Sequence, residues 1–405
     1  MIISLITSMT TMTYKQKYIP MSLSRIKQSL FENWEFGKKE SGSLIDLCTM
    51  LEAIYHHNSY SLTSKLKSLY EDMNPDTSGY NDTSGKLEFI DALEQSLLDG
   101  NWEKITADEI QNALHGEDIL PISLDVRFDE FDTMELYKLG EKRVSDIRTT
   151  MFGLRSEEVD IDTFNQVLQI VQYKDKSWFF SEKKRKKYYP GDEDVEGIHL
   201  RLFRSVPKLD LETIFPNTTP LMRNLDKLKI AAPLIGGLVA LGIKYTPILF
   251  GNEAGDSGTA VLGGLLTAVG SYVLKTYISY QKTREKFQTQ VSKDMYFKGQ
   301  ANNSAVINMI VDIGEEQEIK EALIAYFFIL LDDNKYNQAT LDKKVENWIL
   351  QKFSVDIDFE VDEALEKLSS MNLLIEDRDG FLSVVDSKKA LIILDRYWDN
   401  LYNFA

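Results

Sequence analysis

One cysteine, Cys48, stands in 405 residues, so no disulfide can close within the chain. That composition suits a reducing compartment. Histidine is nearly as scarce. His56, His57, His115 and His199 are scattered, and the one adjacent pair would point about 100° apart on a helix, too divergent to share a metal. Basic residues are outnumbered, 46 against 63 acidic ones, for a net charge of −17. A general nucleic-acid binder is disfavoured on that ground, because phosphate contacts need a basic face. The chain also lacks a phosphate-cradling P-loop, a GxGxxG after a strand, an HExxH and a CxxC. No nucleophile–base pair assembles, so no catalytic, cofactor-binding or metal-ligating residue is assigned and no cofactor is expected. Asp72, Asn74 and Asp76 begin like a calcium loop, but its sixth position is Thr77 and its twelfth Thr83, which predicts a solvated turn instead. The N-terminal run MIISLITSM is apolar but short, with no basic residue before Lys15, which argues against a signal peptide.

What the sequence does hold is two apolar runs, Ile230–Phe250 and Gly258–Leu274, joined by an acidic turn. Each reaches the roughly 17 to 25 residues that a bilayer-spanning helix needs, so a transmembrane helical hairpin is expected over 228–280. Three Lys or Arg precede the first run within 20 residues, and five occur in the 20 residues from Lys275. Both termini are accordingly expected on the cytoplasmic or equivalent side of an integral, multi-pass protein. Ala232, Gly236 and Ala240, then Ala260, Gly264 and Ala268, repeat at four-residue steps and would line a close membrane-helix contact. Lys244 is the single charge in the first run, placed to snorkel.

The rest divides by hydrophobic period. Residues 1–17 are expected to be disordered. Residues 18–120 form a helical part, with Leu44, Leu47, Cys48, Leu51 and Ile54 at three- and four-residue steps. Over 121–222 the period changes to two, predicting an antiparallel meander of about five strands: Leu124–Phe128, Met134–Leu139, Arg143–Thr149, Phe164–Tyr173 and Ile198–Phe203. Residues 281–315 read as a helical connector. Residues 316–405 give three helices, a β-hairpin turning at Asp379-Gly380, and a last helix, which is a winged-helix-like order. The fold class is thus an α+β membrane protein with four parts: helices, meander, hairpin and winged helix.

Two charge clusters are candidate contact sites. Lys183, Lys184, Arg185, Lys186 and Lys187 form a basic run among aromatic residues, read as a solvated loop or as a contact for anionic lipid headgroups. The third helix of the winged helix carries Asp358, Glu360, Asp362, Glu363 and Glu366. A winged helix ordinarily lays that helix in the major groove of DNA. Across 315–405 there are 10 basic and 20 acidic residues, so phosphates would be repelled and a protein contact is expected instead.

Several stretches carry a family resemblance: Tyr18–Leu30, Leu51–Asp76, Arg127–Gly140, Leu200–Thr218, Tyr296–Leu330 and Asp358–Leu374. Over these the chain resembles the domain-of-unknown-function 3754 family, the family of the transmembrane protein 143-like proteins. The resemblance implies an integral membrane protein with folded parts on either side of the hairpin. It implies no activity and supplies no catalytic residue. The expected function is a membrane-anchored interaction or scaffold protein with the lipid bilayer and a protein partner or second copy as its contacts. Two alternatives stand beside it: a membrane-associated enzyme acting on a lipid or phosphate, and a homo-oligomeric channel or transport component.

Overall fold

The computed structural model describes residues 15–34, 38–77, 84–115, 123–150, 155–221, 299–332 and 334–402, with scattered positions between 235 and 298. Two compact units emerge, each assembled from separated stretches of chain. The larger takes residues through Thr106, then Glu130–Pro207, then Gly299 onward; the smaller takes Ala107–Asp129 and Lys208–Lys298.

The larger unit opens with helix α1 (Leu23–Asn33), whose N-cap Ser22 accepts from Arg25 N and whose Ile26 and Leu30 are buried one turn apart. Helix α2 (Lys38–Tyr70) buries Leu44, Leu47, Cys48, Leu51 and Ile54, the stripe that the spacing predicts. Helix α3 (Lys86–Asp99) buries Phe89, Leu93 and Leu97. Strands follow: β1 (Glu103–Lys104), β2 (Phe131–Thr150), β3 (Arg155–Tyr173), β4 (His199–Pro207) and β5 (Gly299–Asn302). They form one antiparallel sheet whose spatial order is the chain order. Between β3 and β4 lie three short helices, α4 (Lys176–Phe180), α5 (Lys183–Lys186) and α6 (Asp192–Val195).

Helix α7 (Ser304–Leu331) is the longest apolar element, about 42 Å by its 28 residues at 1.5 Å each. Its first half packs Val306, Ile307 and Ile310 against one face of the sheet (Tyr137, Leu168, Leu202) and against Phe89 and Leu93 of α3. Its second half packs Leu323, Ala325, Phe327 and Phe328 with α1, α2 and the C-terminal helices. One helix therefore serves two cores. Those C-terminal elements are α8 (Gln338–Phe353), α9 (Val361–Ser370), β6 (Leu374–Glu376), β7 (Leu382–Val384) and α10 (Ser387–Asp399). An antiparallel bridge from Tyr336 to Leu382 ties the α7–α8 link to the β6–β7 hairpin (the wing).

A buried polar knot sets where α7 begins. Asn303, at φ 50°, accepts from Tyr70 Oη and Leu200 N through Oδ1 and donates from Nδ2 to Asp76 Oδ1 at 2.9 Å. Beside it Gly197 adopts φ +74°, and a Cβ there would lie 2.4 Å from the Met73 carbonyl oxygen that receives Ile198 N. Only glycine fits that approach. The N-terminal segment is fastened to the middle of α7, where Gln317 and Lys320 bond both polar groups of the Ile19 backbone.

In the smaller unit, Ser123–Asp125 pairs antiparallel with Thr219–Leu221, helix Ala107–His115 meets the 3-10 turns of Lys208–Ile214, and Arg127 donates to Asn217 O and Thr219 Oγ1. This corrects two strand assignments. The expected strand at 124–128 is a three-residue piece outside the five-stranded sheet. The expected strands 134–139 and 143–149 are a single 20-residue strand, because Gly140 passes at φ +62° without ending the pairing to β3.

The larger correction concerns the membrane. Among the described residues no helix is long and apolar enough to cross a bilayer. Helix α7 comes nearest, but Asp312, Glu315, Glu316, Glu318, Lys320 and Glu321 interrupt its middle. The fold is α+β with an antiparallel sheet, and a two-span integral membrane protein with both termini on one side is not supported. Most of 230–274, including Lys244, lies outside the described residues. Of the six small residues expected to pack membrane helices, Gly236 alone is described, helical and exposed, with nothing within 4 Å of where a Cβ would stand.

Candidate functional site

Helix α9 is amphipathic in two directions. Val361, Ala364, Leu365 and Leu368 face the core, which leaves Asp362 and Glu366 on one flank and Glu363 and Lys367 on the other. The first flank opens onto a groove of about 810 Å³ between the start of α8, helix α9 and the wing. Six carboxylates line it, from Asp342, Asp358, Glu360, Asp362, Glu366 and Glu376, and no basic side chain does. Phe359, Val361, Leu365, Leu374 and Leu382 supply the apolar part of its wall. Helix α8 is held at the rim by a capping box, Asn337 accepting from Thr340 N and Thr340 Oγ1 from Asn337 N.

The groove's outer carboxylates already hold lysines. Lys15 Nζ lies 2.8 Å from Asp358 and 3.0 Å from Glu346, and Lys17 Nζ lies 2.6 Å from Glu360. Those hydrogen bonds hold both ammonium groups above their ordinary range. Asp342, Asp362, Glu366 and Glu376 have no basic partner within ion-pair distance among the described residues. One oxygen of Asp342 is shut off from solvent with no donor, and burial, then Glu346, pushes its carboxyl upward.

The expected five-acid contact face therefore divides. Asp358, Glu360, Asp362 and Glu366 line the groove, while Glu363 belongs to an interior cluster on the opposite flank. There Lys367 Nζ lies 2.7 Å from Glu321, 3.6 Å from Glu363 and 3.9 Å from Glu318, and Asn101 Nδ2 donates to Glu321 at 2.6 Å. Burial lowers the Lys367 ammonium, but these carboxylates more than restore it, so it stays charged. Burial pushes Glu318 up to about 7. Sequence reasoning missed this cluster, since its members come from the loop after α3, from α7 and from α9. It joins α7 to α9 as a lock.

The basic run is the second place where charge is unbalanced. Asp175 caps α4 by accepting from Trp178 N, which turns Trp178 and Phe180 toward α5. Arg185 then lies 4.3 Å from the Trp178 ring centroid, Lys186 5.1 Å from Phe180, and Lys187 4.3 Å from Tyr188. Arg185 also pairs with Glu182 at 3.2 Å. Lys183, Lys184, Lys186 and Lys187 are exposed and hold no carboxylate among the described residues. The solvated run is thus a single helical turn footed on aromatic rings. A neighbouring cleft of about 780 Å³ has its lysines spoken for, Lys174 by Asp132 and Lys176 by Asp192.

His56 and His57 diverge: one meets Glu315 at 3.2 Å and the other the Tyr402 ring at 5.0 Å. Among the described residues no group of acidic, histidine or cysteine side chains is arranged to hold a metal ion. Cys48 is buried, and desolvation pushes its thiol up to about 12.

No solved structure matches the chain. Residues 164–305 match the model of a family described as Protein of unknown function (DUF3754). That stretch runs from the middle of β3 to the first turn of α7, so it takes in the aromatic–basic turn and the Asn303 knot and stops short of the groove. Over residues 164–305 the chain is similar to the DUF3754 family.

Proposed function

We propose that the chain is an interaction protein whose groove beside α9 receives a lysine- or arginine-rich segment of a protein partner. The observation that carries this reading is the wall of six carboxylates over an apolar lining, four of them with no basic partner within ion-pair distance among the described residues. Lys15 and Lys17 at its rim act as the chain's own examples of the ligand. Opposed charge steers encounter, and pairs that become desolvated in a groove can couple by about 1.5–7 kcal/mol. The same lining disfavours the duplex contact usual for this helix position, since six carboxylates would face phosphates.

Fluorescence anisotropy with a labelled lysine-rich peptide tests the reading, with a labelled DNA duplex beside it. The peptide binds, binding weakens with salt, and the triple variant Asp362→Asn, Glu366→Gln, Glu376→Gln weakens it by about tenfold or more. Equal binding to wild type and variant, or preference for the duplex, overturns the proposal.

A further inference from the structure

The groove and the aromatic–basic turn are complementary in number as well as sign. Four groove carboxylates (Asp342, Asp362, Glu366, Glu376) stand without a basic partner among the described residues. Four lysines of the turn (Lys183, Lys184, Lys186, Lys187) stand without an acidic one. Both features belong to the same compact unit, yet among the described residues no ion pair joins them within a chain. The turn also projects apolar surface beside its charge: Phe180 is 46% exposed while Lys186 lies over its ring. A groove with carboxylate walls and an apolar lining is the matching receptor.

We propose that the basic turn of one copy seats in the acidic groove of a second copy. This rests on the groove being a site for basic segments, and it names this chain's own Lys183–Lys187 as an occupant. The two surfaces differ, so copies join either reciprocally, each turn in the other's groove, or head to tail, each copy offering a turn to one neighbour and a groove to another. The reciprocal arrangement closes as a two-fold dimer, and the head-to-tail one grows into open chains or closed rings. Because the attraction is between charges, assembly weakens as salt screens it.

Sedimentation velocity on the full chain at low salt, over a range of concentrations, tests the proposal. Wild type shifts to species larger than one chain as concentration rises, and moderate salt reverses the shift. A turn variant (Lys183→Gln, Lys184→Gln, Lys186→Gln, Lys187→Gln) and a groove variant (Asp362→Asn, Glu366→Gln, Glu376→Gln) each sediment as single chains alone. Mixed in equal amounts, they form a complex of two and no larger, since only one intact turn and one intact groove are left. Overturning results are a wild type that stays monomeric at every concentration, association that survives in either variant, or a mixture that stays monomeric. If the lysine-rich peptide binds the groove while wild type stays monomeric, self-docking falls and the groove reading stands. If neither the peptide nor a second copy binds, both fall.

Discussion

Glu318 couples the interior lock to pH. Its carboxyl titrates near 4.5 in an unfolded chain and at about 7 in the fold, because burial penalises the charged form. Between those values the folded chain keeps a proton that the unfolded chain has released. Stability contributed by this group therefore falls as pH rises from about 4.5 to 7, and levels off above. Replacing it by glutamine removes that slope, so Glu318→Gln gains on wild type at pH 8 relative to pH 5. Urea midpoints at the two pH values are the measurement. A pH difference unchanged from wild type would mean that Glu318 stays ionised in the fold. The Glu363–Lys367 side of α9 shows why the sequence could not anticipate this lock. The acids 358 to 366 read as one exposed face, but a helix turns by 100° per residue, so neighbours 362 and 363 part company. Which flank meets protein depends on Glu321, some 40 residues away and fully buried.

At the scale of elements, periodicity carried most of the helices. The stripe Leu44, Leu47, Cys48, Leu51 lies in the core, and the order of α8, α9 and wing follows the apolar spacing and the Asp379-Gly380 turn. What was not legible is where helices touch. The four-residue repeat of small residues lies in the apolar runs. The close approach found among the described residues joins Gly100, at the end of α3, to Gly314 in α7. No spacing rule links two positions so far apart in sequence. A Cβ on Gly100 would stand 3.2 Å from the Gly314 Cα and 3.2 Å from Trp102 Cδ1, closer than packed carbon atoms sit. A Cβ on Gly314 would find its nearest atom at 3.6 Å, an ordinary contact. The two substitutions should therefore differ. Gly100→Ala costs about 1–3 kcal/mol through overpacking. Gly314→Ala is close to neutral, its contact being offset by the roughly 1 kcal/mol that alanine gains over glycine inside a helix. Urea denaturation of both variants checks the asymmetry, and equal losses would show that the crossing tolerates no Cβ on either side.

For the whole molecule, the consequential feature is a unit woven from three separated stretches of chain. Residues 15–106 and 130–207 supply four of the sheet's five strands and its flanking helices, but β5 and the apolar face of α7 that closes both cores arrive only from residue 299 onward. A chain ending at Lys298 would leave Phe89, Leu93, Tyr137, Leu168 and Leu202 of one core without the α7 side chains that cover them. It should fail to reach a cooperative fold, as read by a missing unfolding transition and rapid proteolysis. A cooperative transition in that fragment would show that the sheet and α2–α3 stand alone. Domain boundaries of this kind are invisible to composition, because neither the start of β2 nor the end of β4 is marked by a linker.

The late position of α7 also bears on how the protein is made. A ribosome delivers roughly 5–20 residues per second, so strands β1–β4 and the α2–α3 layer leave the tunnel well before the helix that completes them. During that interval their greasy faces have no native neighbour, and the nascent chain is a natural client for holding chaperones. Fast elongation past residue 303 shortens that exposure, and a pause ahead of it prolongs the hazard of aggregation.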